Sequence, residues 1–223
     1  MNLSILIISY KSLKNLENCL QNLGTAREIV IVENSNDHEL KNIIESKYSH
    51  CKVILNNKNL GFGKASNIGL KTINNKFVFL LSTDVTVNEN QLKDLELEVM
   101  KHQNNFTLAS PLSDDLVDFI KNNDFDKFLK NQVIDLNSRN NFTKVELVKG
   151  CSLIINLEMF KDKNIFDENF FFFFEEIDLC RRLKMASQNI YLFNKIKIIH
   201  DSGQGLDDQL QSKYDDFRNW NFY

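Results

Sequence analysis

Apolar and polar residues along this chain fall into short blocks of two kinds. Leu3 to Tyr10 is almost continuously apolar, as a strand buried on both faces must be, whereas Leu13 to Leu23 spaces its apolar residues by three and four and stops at Gly24. The two patterns then alternate: a strand at Glu28 to Glu33, a helix at Asp37 to Lys47, a strand at Lys52 to Leu55, a helix at Lys64 to Ile73 and a strand at Phe77 to Leu81. Such alternation predicts an α/β protein with a parallel sheet and helices on its faces. Ligands of open sheets bind beyond the carboxyl ends of the strands, which directs attention to Ser9-Tyr10-Lys11, Glu33-Asn34-Ser35 and Ser82-Thr83-Asp84.

From Asn90 onward the pattern changes. Gln91 to His102 reads as a helix, and Asp114 to Gln132 as another, interrupted around Asn122-Asn123-Asp124. Asp135 to Thr143 is polar and reads as a loop facing the acceptor side. Strands return at Lys144 to Lys149, Leu153 to Asn156, Ile190 to Phe193 and Lys195 to Ile199. No linker separates the halves, so residues 1–223 are expected to form one domain: a nucleotide-binding half over about 1–110 and a mixed half over about 111–223.

Composition removes several function classes. The 223 residues suffice to bury a core, and a 43% hydrophobic share with one proline and seven glycines describes an ordinary globular chain. A net charge of −3 with scattered Lys and Arg argues against nucleic acid as a partner. Cys19, Cys51, Cys151 and Cys180 form no C-x-x-C pair and are expected as buried free thiols, which suits a cytoplasmic location. The Leu3 to Ile8 run is too short for a membrane span and lacks the flanks of a signal peptide. Without a basic amphipathic helix, membrane association is expected to be weak and peripheral, at the inner face.

Phe170 to Phe174 is an unbroken aromatic run that leads into Glu175-Glu176-Ile177-Asp178-Leu179-Cys180-Arg181-Arg182-Leu183. The run is expected to be largely withdrawn from water. A helix starting near Glu175 places Glu176, Leu179, Cys180 and Leu183 on one face, with Glu176 above a buried stripe. A partly desolvated carboxylate there suits a general base. Acidic residues in a first helical turn equally complement the helix dipole.

Taken in order, Ile7-Ile-Ser-Tyr10, Ile31 to Asp37, Asn59-Leu-Gly-Phe-Gly63 with Asn67, Phe79 to Val85, Val148-Lys-Gly150, Phe166-Asp-Glu168, Phe170 to Leu183 and His200 resemble the family 2 glycosyltransferases, most closely their rhamnosyltransferase-like branch. The resemblance runs from Asn2 to about Gly203. It implies a GT-A fold, a nucleotide-sugar donor with UDP or dTDP, a divalent cation (Mg²⁺ or Mn²⁺), inversion at the anomeric carbon, and a glycan or lipid-linked acceptor in bacterial surface polysaccharide synthesis. It further implies donor contacts from Ser9, Tyr10, Glu33, Asn59, Gly61, Asn67, Ser82, Thr83 and Asp84. Asp84 and His200 would hold the cation, Glu176 would be the base, and Glu175 would be its neighbour tuning the pKa or meeting the acceptor.

Alternatives stand beside these assignments. Glu33 departs from the family's usual Asp and also fits a turn acid before Asn34-Ser35-Asn36-Asp37. Asp37 reads as an N-cap, His200 equally as a hydrogen-bonded strand-end residue, and Asp178 with Arg181 and Arg182 as helical ion pairs. The glycines of Asn59 to Gly63 suit close backbone approach to a ligand. Ser82-Thr83-Asp84 carries one acid where the family keeps a D-x-D-like motif, and Glu replaces Asp at position 176, so an inactive GT-A domain acting as a binding subunit remains a second reading. A sugar nucleotidyltransferase is a third, disfavoured by the absence of a glycine-rich loop at Tyr10-Lys11-Ser12.

Overall fold

The computed structural model describes residues 3–116 and 141–201. Its first half is the expected alternation: β1 (Leu3–Ser9), α1 (Leu13–Asn22), β2 (Ile29–Glu33), α2 (His38–Lys47), β3 (Cys51–Leu55), α3 (Phe62–Thr72) and β4 (Phe77–Ser82). There follow β5 (Val85–Thr86), α4 (Glu89–Lys101), β6 (Leu108–Ser113), β7 (Phe142–Val145), β8 (Ser152–Asn156), a 3-10 turn at Leu157–Met159, α5 (Glu175–Met185) and β9 (Ile190–His200). Helix starts follow local chemistry: Asp37 caps α2 by accepting from the Leu40 amide, and Asn88 with Gln91 closes a capping box on α4.

Among the described residues the strands form one sheet in the order β3-β2-β1-β4-β8-β6-β9-β5, with β7 also paired to β9. β1 lies parallel to β2 and β4, and β2 parallel to β3; beyond β4 the sheet is mixed, with β8 antiparallel to β4 and β6, and β6 parallel to β9. Alternate residues of the buried strands serve two cores. Ile5, Ile7, Ile29, Ile31, Phe77 and Phe79 face one layer with Leu16, Leu40, Leu92 and Leu95 of α1, α2 and α4. Leu6, Val30, Val32, Val78 and Leu80 face the other with Ala65 and Leu70 of α3 and Leu179 and Leu183 of α5. Each fully buried Leu or Ile contributes about 1.5–3 kcal/mol relative to exposure, so both helix layers are held by burial.

Strand direction collects the chemistry at one edge. The carboxyl ends of β1, β2 and β4 point the same way, and because β8 runs antiparallel to β4, its entry segment meets them: the Ser82 amide donates to the Cys151 carbonyl at 2.9 Å. β6 and β9 finish there too, since Ser113 pairs with Ile198.

Several expectations are corrected. β6 was not foreseen, because Pro111 lowers strand propensity; the structure accommodates it where the β6–β9 register slips between Pro111 and Leu112. The expected strands Ile190 to Phe193 and Lys195 to Ile199 are one strand, whose buried Asn194 lies in that slipped stretch and donates from its backbone amide to the Asn141 carbonyl and from its side-chain amide to the Thr143 hydroxyl. β7 starts earlier than expected and ends at Val145, leaving Lys149 in a loop. Beyond Leu116 the expected Asp114 to Gln132 helix lies outside the described residues, as does the expected Asp135 to Thr143 loop up to residue 140. All four cysteines are buried free thiols. No helix among the described residues is long and apolar enough to cross a membrane.

Candidate active site

Asp84 follows β4 in the tight link to β5, and Val85 pairs with His200 at the end of β9. Their side chains therefore meet, with His200 Nε2 3.5 Å from Asp84 Oδ2. The other ring nitrogen, Nδ1, lies 2.8 Å from Asp115 Oδ2, and the Lys149 ammonium bonds that same Asp115 oxygen while standing 3.0 Å from Nδ1. Asp84 Oδ1 and Asp115 Oδ1 are buried and make no hydrogen bond among the described residues. A buried carboxylate oxygen without a donor is costly, and it is an open ligand position.

Electrostatics follow from this packing. Burial by itself lowers the His200 pKa, but the hydrogen bonds to Asp115 and Asp84 outweigh it and raise it to about 9. Burial likewise raises Asp115, yet its bonds from His200 and Lys149 hold it well below the usual carboxylate range. Asp115 and Lys149 were not among the expected site residues. Val148-Lys-Gly150 was already part of the resemblance. Asp115 was hidden because its segment read as the start of a helix rather than the end of a strand.

Across the entry to β8 stand the two glutamates at the start of α5. Glu175 is buried and its Oε2 makes no hydrogen bond among the described residues, whereas Glu176 is half-buried against Gly150. The buried stripe thus includes Glu175 with Leu179, Cys180 and Leu183, and the carboxylate expected above it is the less enclosed of the two. Burial, then repulsion from Glu176, pushes Glu175 up to about 8. Burial also raises Glu176, opposed by its own amide, the Lys149 charge and the Gly150 amide.

The aromatic run is not withdrawn from water as expected. Phe171 is 50% exposed and its neighbours are half-buried. Phe173 and Phe174 both adopt left-handed backbone (φ 69° each), a reversal directly after which α5 starts at Glu175, with Phe174 packed against the second core layer. This loop abuts the Asn59 to Gly63 turn: Phe62 N–H donates to the Phe171 carbonyl at 3.0 Å, which sits where a Cβ on Gly61 would be. Gly63 is likewise crowded by Phe166 and Glu175. The close approach these glycines permit is made by the chain itself.

Of the remaining expected donor residues, Ser9, Tyr10, Glu33, Ser82 and Thr83 stand at strand ends, whereas Asn59 lies in the turn before α3 and Asn67 is buried within that helix. Ser9 is buried beside Ser12, and Tyr10 lies beneath Lys11. Both Glu33 oxygens accept from its own turn, Oε2 from the Ser35 and Asp37 amides and Oε1 from the Ser35 hydroxyl at 2.6 Å. Asn59 accepts from Asn34 and the Gly61 amide, and Asn67 exchanges two bonds with the Phe166 backbone. Ser82 and Thr83 lead directly to Asp84.

A protein-family model described as Glycosyl transferase family 2 matches residues 4–172, most of the chain. The chain belongs to glycosyl transferase family 2. Its rhamnosyltransferase-like branch is a finer assignment that this match does not make. The chain is similar to the low-salt glycan biosynthesis hexosyltransferase Agl10 of Haloferax volcanii, 25% identical over 247 residues, covering 98% of this chain and 74% of that protein. Among solved structures it resembles the mannosyltransferase PcManGT from Pyrobaculum calidifontis in complex with GDP-Man and Mn²⁺, with TM-score 0.67, 11% identity, and 91% and 57% of the two chains covered. It also resembles S. aureus TarS 1-349 in complex with UDP, with TM-score 0.65, 18% identity, and 89% and 60% covered. The chain thus spans 57% and 60% of the length of those two structures and shares their GT-A fold.

Proposed function

We propose that this family 2 glycosyltransferase transfers a hexosyl or deoxyhexosyl unit, with inversion, from a UDP- or dTDP-linked donor to a hydroxyl of a glycan or lipid-linked acceptor in surface polysaccharide synthesis. One observation carries the reading: Asp84, with a buried oxygen that has no hydrogen-bond partner among the described residues, faces His200 at the carboxyl edge of the sheet, while a carboxylate pair stands across Gly150. The donor set is oxygen and imidazole nitrogen, which fits Mg²⁺ or Mn²⁺. Asp84 and His200 would hold the cation, and the donor's diphosphate oxygens suit the remaining positions, since no group of three or more His, Cys, Asp or Glu side chains suited to a metal occurs among the described residues. When bound, the cation offsets the charge growing on the departing diphosphate.

The residues divide the proton work. Glu175 retains its proton near neutrality, because ionising both buried carboxyls is unfavourable. Lys149 and the Gly150 amide favour the ionised form of Glu176, which takes the proton of the acceptor hydroxyl as it attacks. Glu33, Asn59 and Asn67 would act on the donor by holding the loops around it, since their hydrogen bonds tie those loops together. The full saturation of Glu33 by its own turn favours a second reading, an inactive binding domain.

Thermal-shift measurements with UDP-, dTDP- and GDP-sugars, each with and without Mn²⁺, test the proposal. Stabilisation should need nucleotide and cation together and should vanish in Asp84→Ala with the fold intact. Undiminished Mn²⁺-dependent binding in that variant removes Asp84 from the site. Slow release of nucleoside diphosphate without acceptor separates the transferase from the inactive domain, which binds but releases none.

A further inference from the structure

We infer that Asp115 is a positioning residue for His200, fixing which ring nitrogen carries the proton so that Nε2 presents its lone pair beside Asp84. The inference rests on the reading of Asp84 and His200 as cation ligands. The imidazole touches carboxylates on both sides: Asp115 Oδ2 at 2.8 Å from Nδ1, and Asp84 Oδ2 at 3.5 Å from Nε2. The shorter contact is the anchoring one. A neutral imidazole has one N–H; the ionised Asp115 oxygen beside Nδ1 only accepts, and Lys149, 3.0 Å from Nδ1, is engaged as a donor to that same oxygen, so the N–H belongs at Nδ1. A ring held in this way can face a cation only through Nε2, and an outer carboxylate that fixes a ligating histidine is the general means of setting that orientation.

The surroundings hold Asp115 in turn. Lys149 bonds the same Oδ2, which keeps the carboxylate charged and unable to donate. The backbone adds a second tie, because the His200 amide donates to Asp114 Oδ1 at 3.0 Å and the Asp114 amide donates to the Ile198 carbonyl at 3.2 Å. The ends of β6 and β9 are thus locked together around the ring. Lys149 lies one residue from Gly150, against which Glu176 packs, so the same lysine links the His200 side of the site to the carboxylate pair.

Asp115→Asn tests this, because an amide can turn its NH₂ toward Nδ1 and move the ring proton to Nε2. Nitrogen-15 shifts of labelled histidine in alkaline buffer, where the ring is neutral, should report the Nδ1–H form in wild type and a shift toward Nε2–H in the variant. Mn²⁺ alone, titrated by electron paramagnetic resonance, should bind the variant about 10–100-fold more weakly, and Asp115→Glu should recover part of the loss. If Asp115→Asn leaves both tautomer and affinity unchanged while His200→Ala loses Mn²⁺, Asp115 is not a positioning residue and the cation reading stands. Weaker binding with an unchanged tautomer also overturns the inference, since Asp115 would then act on the ion directly. If wild type binds no Mn²⁺, or His200→Ala binds it as well as wild type, the cation reading and the inference fall together.

Discussion

Glu175 and Glu176 differ by one position and by one neighbour. Glu175 is enclosed by the second core layer and Gly63, while Glu176 lies against Gly150 with Lys149 nearby. Glu176→Gln should bind nucleotide normally and lose turnover about 10²–10⁴-fold, whereas Glu175→Gln should be milder. Because Glu175 is uncharged where Glu176 ionises, Glu175→Gln should leave the acid limb of the pH–rate profile in place. Turnover and pH profiles with a competent acceptor check both. A dead Glu175→Gln beside a near-normal Glu176→Gln would exchange the two assignments. The sequence made the pair visible, but not which member is the more enclosed. The helix start near Glu175 was legible, but spacing could not choose between the two, because Glu175 stands four residues before buried Leu179 and Glu176 four before buried Cys180.

At the scale of elements, the parallel half was readable because each buried strand and each helix stripe repeats with its own period. The mixed half was less so. Pro111 concealed β6, and with it the strand end that delivers Asp115; the β6–β9 register slip divided β9 in the sequence pattern though not in the structure. The Asn59 to Gly63 turn was readable as a site of close approach, but its partner was not, since contact with Phe171 joins segments distant in sequence. Gly61 combines φ of +81° with the Phe171 carbonyl in the place of a side chain. Gly61→Ala should therefore lower stability by about 1–3 kcal/mol, read as a reduced urea midpoint. An unchanged midpoint would mean that the two loops are not in contact in solution.

For the whole molecule, the raised groups give stability a direction with pH. Glu175 moves from 4.5 in the unfolded chain to about 8, and His200 from 6.5 to about 9. Over these windows the folded protein binds more protons than the unfolded one, so both contributions are full at low pH and are lost as pH rises. Without metal, thermal stability should decline from above pH 4.5 through about 9, first through Glu175 and then through His200. Glu175→Gln should flatten the lower part of that decline and leave the upper part. A melting temperature that rises steadily over the same range would contradict the burial of Glu175 and the carboxylate contacts of His200.

The thiols supply a chemical clock for opening of the two layers. Burial pushes Cys19, Cys51, Cys151 and Cys180 each up to about 12, so in the folded protein none offers a thiolate to a disulfide reagent near neutrality. Cys19, Cys51 and Cys151 belong to one face of the sheet and Cys180 to the other, beneath α5. Labelling followed by mass spectrometry thus times the two faces separately. If the carboxylate-bearing helix loosens on its own, Cys180 reacts ahead of the other three; if the sheet opens as a unit, all four acquire label together.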